Sequence, residues 1–252
     1  MDIVLTIVLG ALVGISAALL GLGGNLLIVP LLPVMTQLDL STTIATGIVA
    51  VFVVTAMNVL RFYRKKLLDL NLLLLLMVST AMASFLSSYF SMLVPLQYIQ
   101  GVFLIIMVSM LIKLWMPKQQ RDAGSSSRML LLAAGAFSGL LAGLTGVGTG
   151  VILGPLLLSS HNIDEKKVSP LINALIMVAC FFSSFNYLSL ETASFPLMGQ
   201  VRVDYAVYLA VPALLTGIVG RRLNANISSF KRKLLVSGTL GLLIFKTTWE
   251  SL

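Results

Sequence analysis

Two glycine-rich breaks inside apolar runs contain the residue types of this sequence that could bind a ligand. They read GLGGN over Gly21–Asn25 and TGVGTG over Thr145–Gly150. Glycine permits the tight backbone of a chain reversal and lets a ligand approach the main chain closely. A helix that starts after such a break presents N–H groups and a partial positive charge at its first turn, and both attract anions. The breaks therefore predict an anion site that needs no cationic side chain.

The candidate substrate ligands come from these breaks and from polar positions in the neighbouring apolar runs. The break residues are Gly23, Gly24, Asn25, Gly148, Thr149 and Gly150. The polar residues are Thr46, Asn58, Asn173 and Asn186. Hydroxyl and amide groups donate hydrogen bonds to anionic oxygens, but in membrane proteins they also join one helix to another, and glycines there often serve only close packing. Both interpretations stay open from the sequence.

Carboxylates that could couple transport to protons are scarce. Asp39 and Asp164 end the two broken segments just before the next helix, where an aspartate commonly caps the helix. No acidic residue falls well inside an apolar run, so the carboxylate relay of many proton-driven carriers is missing from the sequence. Any coupling would use Asp39, Asp164 or a proton carried by the substrate.

Enzymatic chemistry has little support in the residue inventory. The chain has one cysteine, Cys180, and one histidine, His161, which lies between apolar runs. A disulfide framework, a thiolate metal cluster and most histidine-based metal chemistry are therefore excluded. We predict no catalytic residue, no metal site and no cofactor.

The composition defines the elements that must position these residues. Of 252 residues, 58% are hydrophobic and 10% charged, whereas an ordinary soluble domain is about a quarter charged. Because a spanning helix needs about 20 apolar residues, the sequence predicts an all-α polytopic membrane protein. Two apolar runs, Ile3–Met35 and Met129–Leu158, would measure about 50 Å and 45 Å as single helices, against a hydrocarbon core of about 30 Å. Both contain a glycine break, so we predict that each is a broken helical hairpin.

The chain also repeats itself at an offset of 125 residues. The frame superimposes glycines, a proline and an aspartate, which chance alignment of apolar sequence rarely does. The matched pairs are Gly10 with Gly135, Gly14 with Gly139, Gly21 with Gly146, Gly23 with Gly148, Pro30 with Pro155 and Asp39 with Asp164. We therefore predict a first repeat over 1–116, a cytoplasmic linker over 117–128 and a second repeat over 129–252. Each repeat has a glycine-broken hairpin followed by three transmembrane helices.

The distribution of positive charge favours the hairpins. If each long run turns back at its glycines, 15 of the 17 Lys and Arg residues lie on one side of the membrane, and only Arg202 and Lys246 lie on the other. Basic loops face the cytoplasm, so both termini are predicted outside. Each half then crosses an odd number of times, which makes the two repeats inverted, an architecture typical of transporters. The net charge of +8 is thus a topology signal, and we expect no nucleic-acid partner.

The glycine-then-proline motifs support a family assignment. GLGGNLLIVPLL in the first half and GVGTGVILGPLLL in the second resemble the duplicated motif of the TauE/SafE sulfite exporter family, also called the toluene sulfonate uptake permease family. The resemblance covers essentially the whole chain. It implies transport of sulfite, thiosulfate, sulfonates or related organic anions across a prokaryotic plasma membrane. Asn25 and Thr149 stand where the family often continues with glycine, which leaves the substrate open.

The leading hypothesis is a secondary transporter or facilitator for a small sulfur-containing anion, with the lipid bilayer as its other partner. An anion channel is the nearest alternative. A membrane assembly partner without transport activity is a third interpretation.

Overall fold

The computed structural model describes residues 2–20, 24–115, 128–150, 153–154, 157, 165–189, 196–226 and 229–250. Within these ranges the chain forms nine helices and one short β-hairpin. The first half contains α1 Asp2–Leu20, α2 Asn25–Thr36, α3 Leu40–Arg64, α4 Leu70–Ser91 and α5 Leu96–Trp115. The second half contains α6 Arg128–Thr145, α7 Glu165–Leu188, β1 Leu197–Met198, β2 Val201–Arg202, α8 Val203–Asn226 and α9 Ser229–Glu250.

Helices long and apolar enough to cross a membrane dominate the described chain. By length and composition there are five of them, at Leu40–Arg64, Leu70–Ser91, Arg128–Thr145, Lys167–Leu188 and Val203–Gly220. The prediction of an all-α polytopic membrane protein is confirmed. The first long apolar run is interrupted as predicted, since α1 ends at Leu20 and α2 begins at Asn25.

Helix α4 shows how the bundle meets lipid. Its large apolar side chains at Leu74, Val78 and Met82 are exposed on one face, whereas Thr80 and Ser84 are completely buried on the other. A water-soluble helix has the opposite arrangement, with its apolar face inside. In lipid, small and polar side chains belong at the helix contacts because they allow close approach and hydrogen bonding.

Glycines join α1 to α8. Gly10 packs on the backbone of Leu209 and Gly14 on that of Ala213, so the two helices run parallel. The hydroxyl of Thr216 donates to the carbonyl of Ala11 at 2.8 Å across the same contact.

A matching contact joins α6 to α4. Gly135 packs on Ser79 and Gly139 on Thr80, again in parallel. Here the hydroxyl of Thr80 donates to the carbonyl of Gly135 at 3.3 Å. Helices α1 and α6 each precede a glycine break. Helices α4 and α8 are each the second long helix after a break. The first helix of each half therefore packs on the equivalent helix of the other half, α1 on α8 and α6 on α4. The inverted repeat stays a prediction, and this reciprocal pairing is what it would produce.

Helices α3 and α7 cross the middle of the bundle in opposite directions. Asn58, near the end of α3, donates to Asn173, near the start of α7, at 3.4 Å. Phe52 and Phe181 meet farther along, with 5.6 Å between their ring centroids. Both halves therefore contribute one helix to the interior beside the breaks.

We expect Gly14→Ala to destabilise the protein, because the new Cβ would lie 2.7 Å from Ala213 Cα in backbone that cannot move aside. Overpacking of this kind costs about 1–3 kcal/mol. Gly101→Ala is the matched control, since no atom lies within 4 Å of its added Cβ. Thermal unfolding in detergent should show a lower Tm for the first variant and an unchanged or higher Tm for the second. Equal Tm values would contradict the glycine-mediated contact.

Candidate functional site

The first glycine break ends where α2 begins. Gly24 precedes the helix, and its carbonyl accepts from the N–H groups of Leu27 and Ile28 at 3.2 Å and 3.4 Å. The 12 residues of α2 rise about 18 Å at 1.5 Å per residue. Because the hydrocarbon core is about 30 Å thick, this length is sufficient to put Asn25 near the middle of the membrane if α2 ends at its surface.

The second break has its own reversal and helical restart. Gly146 has a φ of 70°, a conformation that side-chain-bearing residues rarely adopt. The N–H of Val147 donates to the hydroxyl of Thr145 at 3.2 Å. Helical hydrogen bonding then resumes, because the N–H of Leu153 donates to the carbonyl of Thr149 at 3.1 Å. Both breaks are thus followed by a helical turn, as the sequence predicted.

The side chain of Asn25 joins the two breaks. It is completely buried, and an added Cβ on Gly146 would clash with its Nδ2, while one on Gly47 would clash with its Oδ1. The amide therefore lies between α3 and the second break, with one polar atom against each glycine. Glycine is required at both positions by this close approach.

Several buried polar side-chain atoms have no hydrogen-bond partner within the described part of the chain. They are Asn25 Nδ2, Asn25 Oδ1, Thr43 Oγ1, Thr149 Oγ1 and Gln200 Oε1. Thr43 precedes Gly47 by four residues, so both face the same side of α3. An unsatisfied buried polar group costs about 1–3 kcal/mol. Such groups are rare in native proteins, where a water, an ion or a ligand commonly satisfies them.

The β-hairpin covers this region from the end of the bundle where α7 terminates. The N–H of Arg202 donates to the hydroxyl of Thr46 at 3.0 Å, and the N–H of Gln200 donates to the carbonyl of Tyr187 at 2.8 Å. Gly199, with a φ of 62°, lies against Tyr187. Thr46, a predicted ligand, thus uses its hydroxyl oxygen to hold the hairpin on α3.

The cationic group of Arg202 already has a partner. Its guanidinium donates two hydrogen bonds to the Asp204 carboxylate, at 3.0 Å and 2.7 Å, and lies 4.8 Å from the centre of the Tyr205 ring. The bond to Asp204 raises the pKa of Arg202 above its usual value, so the pair stays charged but mutually compensated. The unpaired atoms of the region are all on neutral side chains.

A cavity of about 80 Å³ extends from the first break along α3. Gly24 and Val51 line one part of it, and Asn58 and Asn173 line another. The structure therefore brings these two predicted ligands to one cavity wall, where they hydrogen-bond to each other across α3 and α7.

A second cavity of about 250 Å³ lies along another side of α2. Its wall includes Pro30, Ile44 and Asp39. The Asp39 carboxylate accepts from the N–H of Thr42 at 3.0 Å, which caps α3. The ammonium of Lys246 donates to the carbonyl of Pro30 on α2.

The remaining predicted ligands divide into two groups. Gly148 and Gly150 are buried at the second break. Asn186 instead donates to the Phe85 carbonyl at 2.7 Å and to the Ser88 hydroxyl at 2.8 Å, which joins α7 to α4. Gly23 and Asp164 lie outside the described residues.

Sequence reasoning missed Thr43, Gly47 and Gln200. The i, i+4 spacing of Thr43 and Gly47 was a usable signal, because it places both on one helix face. The turn residues Gly199 and Gln200 were a weaker signal for a hairpin, since its strands have only two residues each.

Comparison with known proteins identifies the family. A family model described as "Sulfite exporter TauE/SafE" matches residues 6–247. The chain belongs to the TauE/SafE family. The resemblance inferred from the duplicated motif is thereby confirmed, and the fold and relatives of this TauE/SafE protein indicate a membrane transporter.

Two curated relatives are similar to this TauE/SafE protein over most of their length. A probable membrane transporter protein of Methanocaldococcus jannaschii is 23% identical over 253 residues, which cover 95% of this chain and 92% of the relative. A probable membrane transporter protein of Haemophilus influenzae is 26% identical over 219 residues, which cover 81% of this chain and 80% of the relative. No solved structure gives a significant match.

Replacing Asn25 by the similarly shaped leucine should leave the ligand-free protein at least as stable, because no hydrogen bond is lost and two unsatisfied atoms are removed. Asn186→Leu is the matched comparison, since it removes two formed hydrogen bonds. Thermal unfolding should give a lower Tm for Asn186→Leu only. A comparable loss in Asn25→Leu would mean that its amide has structural partners.

Proposed function

We propose that this chain is a secondary transporter or facilitator for small sulfur-containing anions such as sulfite, thiosulfate or sulfonates, bound between the two glycine breaks. The observation that carries the proposal is the Asn25 amide, which is buried between the breaks with both polar atoms unpaired. The family to which the chain belongs is described by sulfite export, and its two relatives are named as probable membrane transporters.

Neutral donors suit an anion that must bind and then leave. Asn25 Nδ2 and the hydroxyls of Thr43 and Thr149 can each donate a hydrogen bond to an oxyanion. The helical turns that begin at Asn25 and Thr149 add main-chain N–H groups and partial positive charge. Without a full cationic partner among these groups, a bound anion is stabilised but not held as one half of a salt bridge. This arrangement favours release on either side.

The two cavities along α2 supply a physical basis for access. One reaches Gly24 and the other reaches Ile44, so they approach the break from different sides of α2. The reciprocal packing of α1 on α8 and α6 on α4 supports two inverted halves, 1–116 and 129–252, that rock against each other around the site. Asp39 and Asp164 stay coupling candidates.

The orientation proposed is cytoplasmic for the basic end. Arg61, Arg64 and Lys66 lie at or just after the end of α3, and Lys167 near the start of α7 forms an ion pair with Asp69 at 3.7 Å. These charges share one end of the bundle, which supports a cytoplasmic assignment by the positive-inside rule. The protein then resides in a prokaryotic plasma membrane with both termini outside.

Purified protein in liposomes should move sulfite with saturable kinetics and counterflow. Gly148→Val should lower the flux at least tenfold, because the added side chain occupies the proposed site. Gly101→Val serves as the control, since its added Cβ has no neighbour within 4 Å. Flux is measured for sulfite, thiosulfate, sulfonates and chloride, with and without a proton gradient. Non-saturating flux without counterflow would indicate a channel, and normal flux in Gly148→Val would remove the site from the second break.

Cysteine labelling tests the orientation. In a Cys180→Ser background, a cysteine replacing Arg64 should react in whole cells only with a reagent that crosses the membrane. A cysteine replacing Met198, which is exposed on the β-hairpin at the opposite end, should react with an impermeant reagent. The reverse pattern would overturn the cytoplasmic assignment of the basic end.

A further inference from the structure

We propose that the central site selects a monoanion that carries a hydrogen on one of its oxygens, such as hydrogensulfite, over a fully deprotonated oxyanion or a sulfonate. This inference rests on the proposed function and names the chemical form of the substrate. The feature that carries it is the Asn25 side chain, whose donor and acceptor are both unpaired.

An amide presents its donor and its acceptor on the same carbon atom. In Asn25 both atoms are buried, with Oδ1 toward Gly47 and Nδ2 toward Gly146. Exchanging the two atoms leaves the requirement unchanged, because the site still offers one donor and one acceptor side by side. An oxyanion that satisfies both must present an acceptor oxygen and an O–H group on its central atom.

Fully deprotonated oxyanions meet only half of this requirement. Their oxygens can accept from Nδ2, but they have no hydrogen to give to Oδ1, which would stay unpaired and face another electron-rich oxygen. A sulfonate group has the same limitation. Hydrogensulfite presents an unprotonated oxygen and an S–OH group together and can form two parallel hydrogen bonds with the amide, leaving its third oxygen free to accept from another donor.

The charge of the surroundings agrees with a monoanion. Two of the residues that Asn25 contacts, Gly47 on α3 and Gly146 at the second break, are not titratable. Of the described charged side chains that contact these elements, Arg202 is paired with Asp204, Lys246 donates to the carbonyl of Pro30, and Asp39 caps α3. A second negative charge on the ligand would therefore be buried without a compensating cation, at a large desolvation cost.

The protonated form of the substrate also bears on how protons cross the membrane. A hydrogensulfite ion carries its own proton through the protein, so a carboxylate relay inside the spans is unnecessary. The absence of acidic residues from the interior of the apolar runs then has a chemical reason.

Two probe anions test whether a hydrogen on a ligand oxygen increases the affinity. Methylphosphonate monoanion and methanesulfonate share tetrahedral geometry, one methyl group, three oxygens and a single charge, and they differ in the central atom and in the hydrogen that one phosphonate oxygen carries. Binding of each to the purified full chain is measured by calorimetry at a mildly acidic pH. We expect methylphosphonate to bind at least tenfold tighter, and Asn25→Leu to remove that preference. Thr149→Val should weaken both probes and keep the ratio, while Ser109→Ala, whose hydroxyl bonds only within α5 at 2.8 Å, should change neither.

Equal affinities, a preference for methanesulfonate or no binding of either probe would overturn the inference. The preference in the wild-type chain decides the matter even if Asn25→Leu fails to fold. Sulfite flux in liposomes is measured separately. Loss of flux with the probe preference intact would reject the transport function and leave the site chemistry standing.

Discussion

A backbone that leaves the helical state inside a membrane has to find its partners within the protein, because lipid offers no hydrogen bonds. That constraint governs the two glycine breaks. Local hydrogen bonds form at each break, from Leu27 and Ile28 to Gly24 and from Val147 to Thr145, and the Asn25 amide lies between Gly47 and Gly146 where the breaks meet. The positive φ of Gly146 and the absence of a side chain at Gly47 are the local conditions for this contact. The surrounding helices hold the two breaks in contact at Asn25.

The packing around the breaks has to offset unsatisfied polar groups. Each buried atom without a partner costs about 1–3 kcal/mol, and the described chain has such atoms on Asn25, Thr43 and Thr149. Stability is supplied by close helix contacts in which Gly14 and Gly139 let backbones touch and Thr216 and Thr80 bond across them. A ligand that satisfies the open atoms recovers part of the cost on binding. Instability and affinity thus have the same origin.

Much of this architecture follows from length and residue type. Apolar runs longer than a membrane is thick must bend, and glycine marks where, so the break before Asn25 and the reversal at Gly146 were predictable. The offset of 125 residues matched Gly10 with Gly135, and each of these glycines packs against a helix from the other half.

The features that could not be predicted from the sequence depend on contacts between distant segments. The pairing of Asn25 with Gly47 cannot be read from a run in which most residues are apolar, because many glycines serve packing alone. Asn186 had two open interpretations, and only the positions of Phe85 and Ser88 show that it joins helices. The β-hairpin at Gly199 has too few strand residues for any alternating pattern, so its contact with Thr46 becomes visible only once α3 and α7 are side by side.

The central claim is that an oxyanion occupies the meeting point of the two breaks. Selenite is a close chemical analogue of sulfite, and its selenium atom can be located in a crystal by anomalous scattering. Crystals of the protein grown with selenite should give an anomalous peak beside the side chains of Asn25 and Thr149. A peak only between Asn58 and Asn173, or none within the bundle, would contradict the account.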